Sequence, residues 1–294
     1  MPLIATLVAD PASGALEPGF VAGILPPGAH APDWLALNAA CDIALDEGKP
    51  VEAHKTELRS AIGDRPIDLA FQRAESRRKR ALIADMDSTM IDQECIDELA
   101  AEAGFGERVA AITARAMNGE IEFEGALRER VGLLKGLPVA VIERVLAERI
   151  RLAKGARTLV ATMRANGAYC ALVSGGFTRF TRPIAEKIGF DEHSANELVE
   201  RNGILAGAVR EPILGREAKV QALLRICRQR QLQPGDFIAV GDGANDLDML
   251  SLAGTGVALH AKPSVAACAR FRIDHGDLTA LLYLQGYRQS EFRK

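Results

Sequence analysis

Four short apolar runs, ALIAD (81–85), AYCALVSGG (168–176), DFIAVGDGAND (236–246) and GVALH (256–260), constrain this chain more than any other feature. Helical patterns such as ARTLVATMRANG (156–167) and REAKVQALLRICRQRQ (216–231) lie between them. A short run that stays apolar on both sides of the pleat suits a strand buried on both faces. Such strands alternating with helices imply an α/β fold whose parallel sheet is covered by helices on each side. The carboxyl ends of the strands then share one edge, and ligands bind at that edge. The first run stops at Asp85, the second at Ser174 and two glycines, the third at Gly241 and Asp242. Asp85, Ser174 and Asp242 are therefore expected to converge.

The segments outside this pattern suggest additions to a Rossmann-like core. LIATLVA (3–9), DWLALNAACDIAL (33–45) and IDLAFQ (67–72) read as strands, the middle one as one strand or more. LEPGFVAGIL (16–25) and HKTELRSAIG (54–63) read as helices, the second stopping at Gly63. That order predicts a β-α-β-β-α-β, ferredoxin-like α+β domain. RAESRRKR (73–80), with five basic residues in eight, reads as a solvated linker in preference to a nucleic-acid patch. Residues 92–151 read as helices broken at Gly104, Gly119 and Gly136-Leu137-Pro138. ELVERNGILAGAV (197–209) alternates around Asn202-Gly203, the signature of a β-hairpin. The expected division is 1–78 for the N-terminal domain, 79–91 with 152–294 for the core, and 92–151 for the helical segment between them.

Composition removes several function classes. The net charge of −3 over 294 residues draws the chain neither to nucleic acid nor to an anionic membrane. Cys41, Cys95, Cys170, Cys227 and Cys268 are odd in number and lack CxxC spacing, which suits reduced, cytoplasmic cysteine and not a disulfide frame or zinc site. No apolar stretch has the length of a membrane span, and the first residues lack the basic segment of a signal peptide.

Asp85, Asp87, Asp242 and Asp246 would place four carboxyl groups near one point. Such a cluster repels itself unless a cation joins it, and an all-oxygen donor set without His or Cys points to Mg²⁺. Asp85 and Asp87 are two residues apart, so strand alternation turns both side chains the same way. One can attack phosphorus as a nucleophile, while the other serves as acid and then base. Ser174, Gly175 and Gly176 offer a hydroxyl and backbone N–H groups to a phosphate, and Lys219 a compensating charge. Taken singly, a strand-terminal aspartate, a Ser-Gly-Gly loop or a helical lysine is more often a turn, a loop or a solvated surface. It is their common edge that makes them a site.

These motifs resemble the haloacid dehalogenase superfamily. Over residues 81–283 the match narrows to its bacterial phosphoserine phosphatase family, on DMDSTMIDQE (85–94), AMNGEIEFEGALRERVGLLKGLP (116–138), VSGGF (173–177) and VGDGANDLDML (240–250). The resemblance implies hydrolysis of O-phosphoserine to serine and phosphate, the final step of serine biosynthesis, through an aspartyl-phosphate. It makes Asp85 the nucleophile and Asp87 the general acid and base. Mg²⁺ would be held by Asp85, the backbone carbonyl of Asp87, and Asp242. Ser174, Gly175 and Lys219 would bind the phosphoryl group, with Asn245 and Asp246 supporting substrate and metal. Glu94, Met117, Phe123 and Arg130 would line the substrate side, with residues 92–151 an inserted helical cap over the site and the 197–209 hairpin a smaller flap. Residues 1–72 are similar in element order to ACT-like modules, although no motif there points to a ligand. Three other readings stay open: the same fold acting on another small phosphomonoester or passing its phosphoryl group to an alcohol, a metal-free dehalogenase, which Asp87 and GDGAND argue against, and an amino-acid sensor built on the N-terminal domain.

Overall fold

The computed structural model describes residues 3–26, 29–117 and 120–294, apart from the side chain of Met117. The N-terminal elements are β1 (Leu3–Val8), α1 (Pro18–Gly23), β2 (Asp33–Ala36), β3 (Ala40–Leu45), α2 (Val51–Ile62) and β4 (Asp68–Arg73). They form an antiparallel sheet in the order β2-β3-β1-β4. The apolar stretch 33–45 is two strands, divided by a turn at Asn38, whose φ of 60° is the left-handed conformation that Asn tolerates. Leu7, Leu16, Val21, Ile43 and Leu58 bury one face of the sheet under its helices. Val8, Leu35 and Ala70 bury the other face against the rest of the molecule.

After this sheet come β5 (Ala81–Ala84) and four cap helices: α3 (Cys95–Glu102), α4 (Gly106–Met117), α5 (Phe123–Leu133) and α6 (Ala140–Glu148). The expected break at Gly119 lies outside the described residues. The core continues with α7 (Ala156–Ala165), β6 (Tyr169–Phe177), α8 (Thr178–Ile188) and β7 (Glu192–Asn196). The hairpin β8 (Leu198–Arg201) and β9 (Ile204–Val209) follows, turning at Asn202 and Gly203, both with positive φ. The last elements are α9 (Arg216–Arg230), β10 (Phe237–Gly241), α10 (Leu247–Leu252), β11 (Thr255–Leu259), α11 (Pro263–Cys268), β12 (Phe271–Ile273) and α12 (Ala280–Leu284).

The six core strands run parallel in the order β12-β11-β10-β5-β6-β7. β5 thus lies between the strands that carry Asp242 and Ser174. Alternation assigns the two faces. Leu82, Ala84, Cys170, Leu172, Ile238 and Val240 pack with Leu159, Val160 and Met163 of α7 and Leu281 of α12. Ala81, Ile83, Ala171, Val173, Phe237 and Ala239 pack with Leu223 and Ile226 of α9 and Met249 of α10. Leu159, Val160 and Met163 recur at helical spacing, so a single face of α7 reaches the sheet.

Two local expectations are corrected. Ser174, Gly175 and Gly176 do not form a loop after a strand: β6 runs through them to Phe177, with its pairing to β7 shifted between Val173 and Phe177. The basic stretch 73–80 is not simply solvated. Lys79 is buried and donates to the carbonyls of Ser76 and Gly235. Arg77 pairs with buried Asp42 at 2.6 Å, and Arg78 stacks on Tyr287. These side chains are spent on joining the N-terminal sheet to the core. No helix among the described residues is long and apolar enough to cross a membrane.

Candidate active site

Asp85 directly follows β5, and its N–H extends the strand ladder by donating to the carbonyl of Val240 at 3.0 Å. Its carboxylate is thereby pinned at the carboxyl edge. The carbonyl of Met86 accepts from Thr89, Met90 and Ile91, and Ser88 takes a positive φ. This tight turn aims Asp87 and leads the chain into the cap; strand alternation does not set the two side chains, because β5 ends at Ala84. Asp242 follows β10, and its Oδ1 accepts from Thr89 Oγ1 at 3.0 Å. Asp246 returns to the same point through a short turn, its Oδ2 accepting the N–H of Gly243 at 3.0 Å.

Asp85, Asp242 and Asp246 each offer an oxygen, and these atoms lie within 4.8 Å of one another. Lys219, from the first turns of α9, reaches in with its Nζ 2.8 Å from Asp85 Oδ1 and 2.6 Å from Asp246 Oδ1. One lysine does not balance three buried carboxylates. Burial first, then Asp246, raises the pKa of Asp85 to about 7 against the pull of Lys219. Burial, then Asp85, raises that of Asp242 to about 8. For Lys219 burial acts downward, but Asp246 and Asp85 outweigh it and the net shift is upward. The excess negative charge and all-oxygen donors fit a divalent cation, so the three aspartates could hold a metal ion.

Beside this cluster lies a cavity of about 200 Å³, the size of a small metabolite. Asp85, Asp87, Ser174, Gly175 and Asn245 form its core-side wall, and Glu94, Phe123 and Arg130 its cap side. Lys219, Asp242 and Asp246 lie beneath this wall, joined to it through Asp85. Every site residue foreseen from the sequence therefore falls in one region, except Met117, whose side chain is outside the described residues. Asp87 Oδ1 accepts the N–H of Cys95, at the start of α3, at 3.1 Å. Burial first, then neighbouring Glu94, raises its pKa well above the usual carboxylate range. Glu94 is raised as well, chiefly by burial, although its Oε1 accepts from Ser88 Oγ at 2.7 Å. Gly176 donates its N–H to Ser174 Oγ at 2.8 Å, which holds that hydroxyl in place.

Phe123 and Arg130 share one face of α5, two turns apart. The Phe123 ring lies so close to Gly175 that a Cβ there would stand 2.9 Å from its Cζ. Arg130 is buried, with Nη1 on Thr113 Oγ1 at 3.0 Å, and Thr113 donates in turn to Asp97 Oδ1 at 2.7 Å. Burial lowers the Arg130 pKa, while Asp97, Glu94 and Asp87 act to raise it. Thr113, Asp97, Ser88, Thr89 and Arg216 were not singled out from the sequence, because helix and turn positions occupied by such common residues carry no signal. Asn196 was missed for the same reason: it clamps the Gly175 carbonyl at 2.8 Å and pairs with the backbone of Leu214.

Residues 82–251 match the haloacid dehalogenase-like hydrolase model, and the chain belongs to that family. Among its relatives is the phosphoserine phosphatase of Archaeoglobus fulgidus, 44% identical over 219 residues, which are 74% of this chain and 63% of that protein. The chain thus spans less than two thirds of that relative's length. A HAD-family hydrolase from Salmonella enterica subsp. enterica serovar Typhi superposes with a TM-score of 0.83 at 29% identity, over 96% of this chain and 97% of its own. The structure of a phospho-aspartyl intermediate analogue of phosphoserine phosphatase superposes with a TM-score of 0.67 at 39% identity, over 70% of this chain and 98% of that one.

Proposed function

We propose that this chain is a phosphoserine phosphatase that hydrolyses O-phosphoserine to serine and inorganic phosphate through a phosphorylated Asp85. The observation that carries the reading is the meeting of a buried, Lys219-bound Asp85 with Asp87 in one cavity, whose cap side carries the buried Arg130 and the half-buried Glu94. In the first step a carboxylate oxygen of Asp85 forms a bond to phosphorus and the P–O bond to the serine oxygen breaks. Asp87 gives its proton to that oxygen. In the second, water attacks phosphorus, Asp87 takes the water's proton, and the bond to Asp85 breaks to release phosphate.

Ser174 Oγ and the N–H of Gly175 are assigned to the phosphoryl oxygens, with Asn245 beside them. Lys219 neutralises Asp85 and Asp246 and so lowers the repulsion that an anionic substrate meets. Mg²⁺, held by Asp85, Asp242 and the Asp87 carbonyl with Asp246 in support, would neutralise charge building on the transferred group. Arg130 is assigned to the substrate carboxylate, Glu94 to its ammonium group, and Phe123 with Met117 to the wall between them. The same reading keeps 1–78, 79–91 with 152–294, and 92–151 as three domains, the middle assignment carrying the chemistry. A phosphatase or phosphotransferase for another small phosphomonoester would use the same Asp85 and Asp87 and differ only in the cap-side contacts.

The test is phosphate release from O-phosphoserine, phosphoethanolamine and phosphoglycolate, with and without Mg²⁺. Phosphoethanolamine lacks the carboxylate and phosphoglycolate the ammonium. Each omission leaves Arg130 or Glu94 without its charged partner in the cavity, which should reduce kcat/KM on the order of a hundredfold. Arg130→Ala should remove most of the discrimination against phosphoethanolamine, and Asp85→Asn should abolish turnover of every substrate. Similar rates on all three substrates would leave only the broader phosphatase reading. Steady turnover by Asp85→Asn would remove the covalent mechanism.

A further inference from the structure

Asp85, Asp87 and Glu94 give the cavity wall three carboxyl groups, yet the ester that must enter it carries a phosphate of nearly two negative charges. Among the described wall residues only Arg130 and Arg216 are cationic. Arg130 is buried inside the cap against Thr113. Arg216 occupies the other side. It opens α9, one turn before Lys219, and shares the wall with Ala244 and Asn245. Its Nε and Nη2 face the two carboxylate oxygens of Asp248 on α10. Both side chains are about half exposed, at 48% and 47%, so this is a pair at the mouth and not in the floor.

We propose that Arg216 is the cation that draws the phosphate group into this site, and that Asp248 aims its guanidinium while tempering its charge. The proposal rests on the phosphatase reading only in requiring a phosphate monoester, not in requiring phosphoserine. An exposed ion pair adds little to stability, so stapling α9 to α10 is a weak reason for its presence at this place. A half-exposed charge at the mouth of an acidic cavity still biases the approach and retention of an anion through its field. The Asp248 carboxylate subtracts from that field.

The two halves of the pair therefore have opposite effects. Arg216→Ala should lower kcat/KM and weaken inhibition by inorganic phosphate about threefold to tenfold. Asp248→Asn keeps the arginine and a hydrogen-bonding partner but removes the opposing charge. It should tighten phosphate inhibition about twofold to threefold. Arg216→Lys should keep most of the wild-type value. All these differences should shrink as salt is raised, because the Debye length falls from about 10 Å at 0.1 M to about 3 Å at 1 M. Inhibition by phosphate is read against hydrolysis of a small aryl phosphate, so the result does not depend on the natural leaving group. If phosphoserine is not turned over but these opposite shifts appear, the substrate assignment fails and the role of Arg216 stands. Losses of the same sign and size in Arg216→Ala and Asp248→Asn, insensitive to salt, would mark a structural staple and overturn the proposal.

Discussion

Asp85 illustrates how much a single residue depends on its surroundings. In an unfolded chain its carboxyl group would titrate near 4, whereas in the folded protein burial and Asp246 raise it to about 7, and burial with Asp85 raises Asp242 to about 8. Between those limits the metal-free folded state holds protons that the unfolded state has released. Stability contributed by these groups is therefore fully present only below about pH 4 and is lost as pH rises through about 8. A divalent cation competes with those protons. Added Mg²⁺ should raise the Tm more at about pH 8 than at about pH 6, as thermal unfolding of the chelated and Mg²⁺-loaded protein will report. An increment that is the same at both pH values would mean that the cation binds elsewhere. The identities of Asp85, Asp87, Asp242 and Asp246 were legible because each ends or follows an apolar run. Their protonation was not, because it depends on burial and on carboxylates brought from distant parts of the chain.

Between elements, the Phe123 ring of the cap lies over Gly175 of the core, with Gly215 also within reach of the ring. The hairpin helps to keep the cap there. Gly136 and Val139 donate to the carbonyls of Leu205 and Gly203, Leu205 donates back to that of Leu137, and Arg128 pairs with Glu211 at 2.7 Å. The two chain crossings into the cap are tied together as well, by Asp92 donating to the carbonyl of Arg151 and Ala153 to that of Met90. Gly175→Ala would place a methyl group 2.9 Å from Phe123 Cζ, so the ring must shift or the cap must stay ajar. Misplacing substrate contacts by an ångström can cost up to about a hundredfold, and a tenfold or greater loss of kcat/KM is expected. Adding Phe123→Leu should recover part of it by making room. Wild-type kcat/KM in Gly175→Ala would show that closure tolerates the methyl group. The hairpin was legible from Asn202-Gly203 and the cap from its broken helical pattern. The course of β6 through Gly175 and Gly176 was not, because pairing with β7 across a register shift overrides the tendency of two glycines to end a strand.

Across the whole molecule, the N-terminal sheet is fastened to the core by buried polar contacts. Asp68, at the start of β4, accepts N–H bonds from Asp274, His275 and Gly276 after β12. Gln72 donates to the Leu284 carbonyl, and Arg288 reaches Asp33 at 2.8 Å. Thr6, Asp42 and Arg77 form a chain of hydrogen bonds between β1, β3 and the connecting stretch. Asp68→Ala leaves N–H groups at this joint without their acceptor, of which that of Gly276 is buried. A loss of about 1–3 kcal/mol is expected in urea unfolding followed by fluorescence of Trp34, which lies on the N-terminal sheet. An unchanged midpoint would mean that water replaces the carboxylate at no cost.

Hydrophobic periodicity alone determined the parallel sheet, its acidic carboxyl edge, the inserted helices and the N-terminal element order, because strand and helix periods are local properties written into side-chain order. Tertiary structure alone decided that Arg77 and Lys79 of the basic stretch would be taken up at a buried joint, that Thr113 and Asp97 would back Arg130, and that Arg216 would face the cavity. Those outcomes depend on which surfaces meet, and the partners lie too far apart in sequence for any local pattern to pair them.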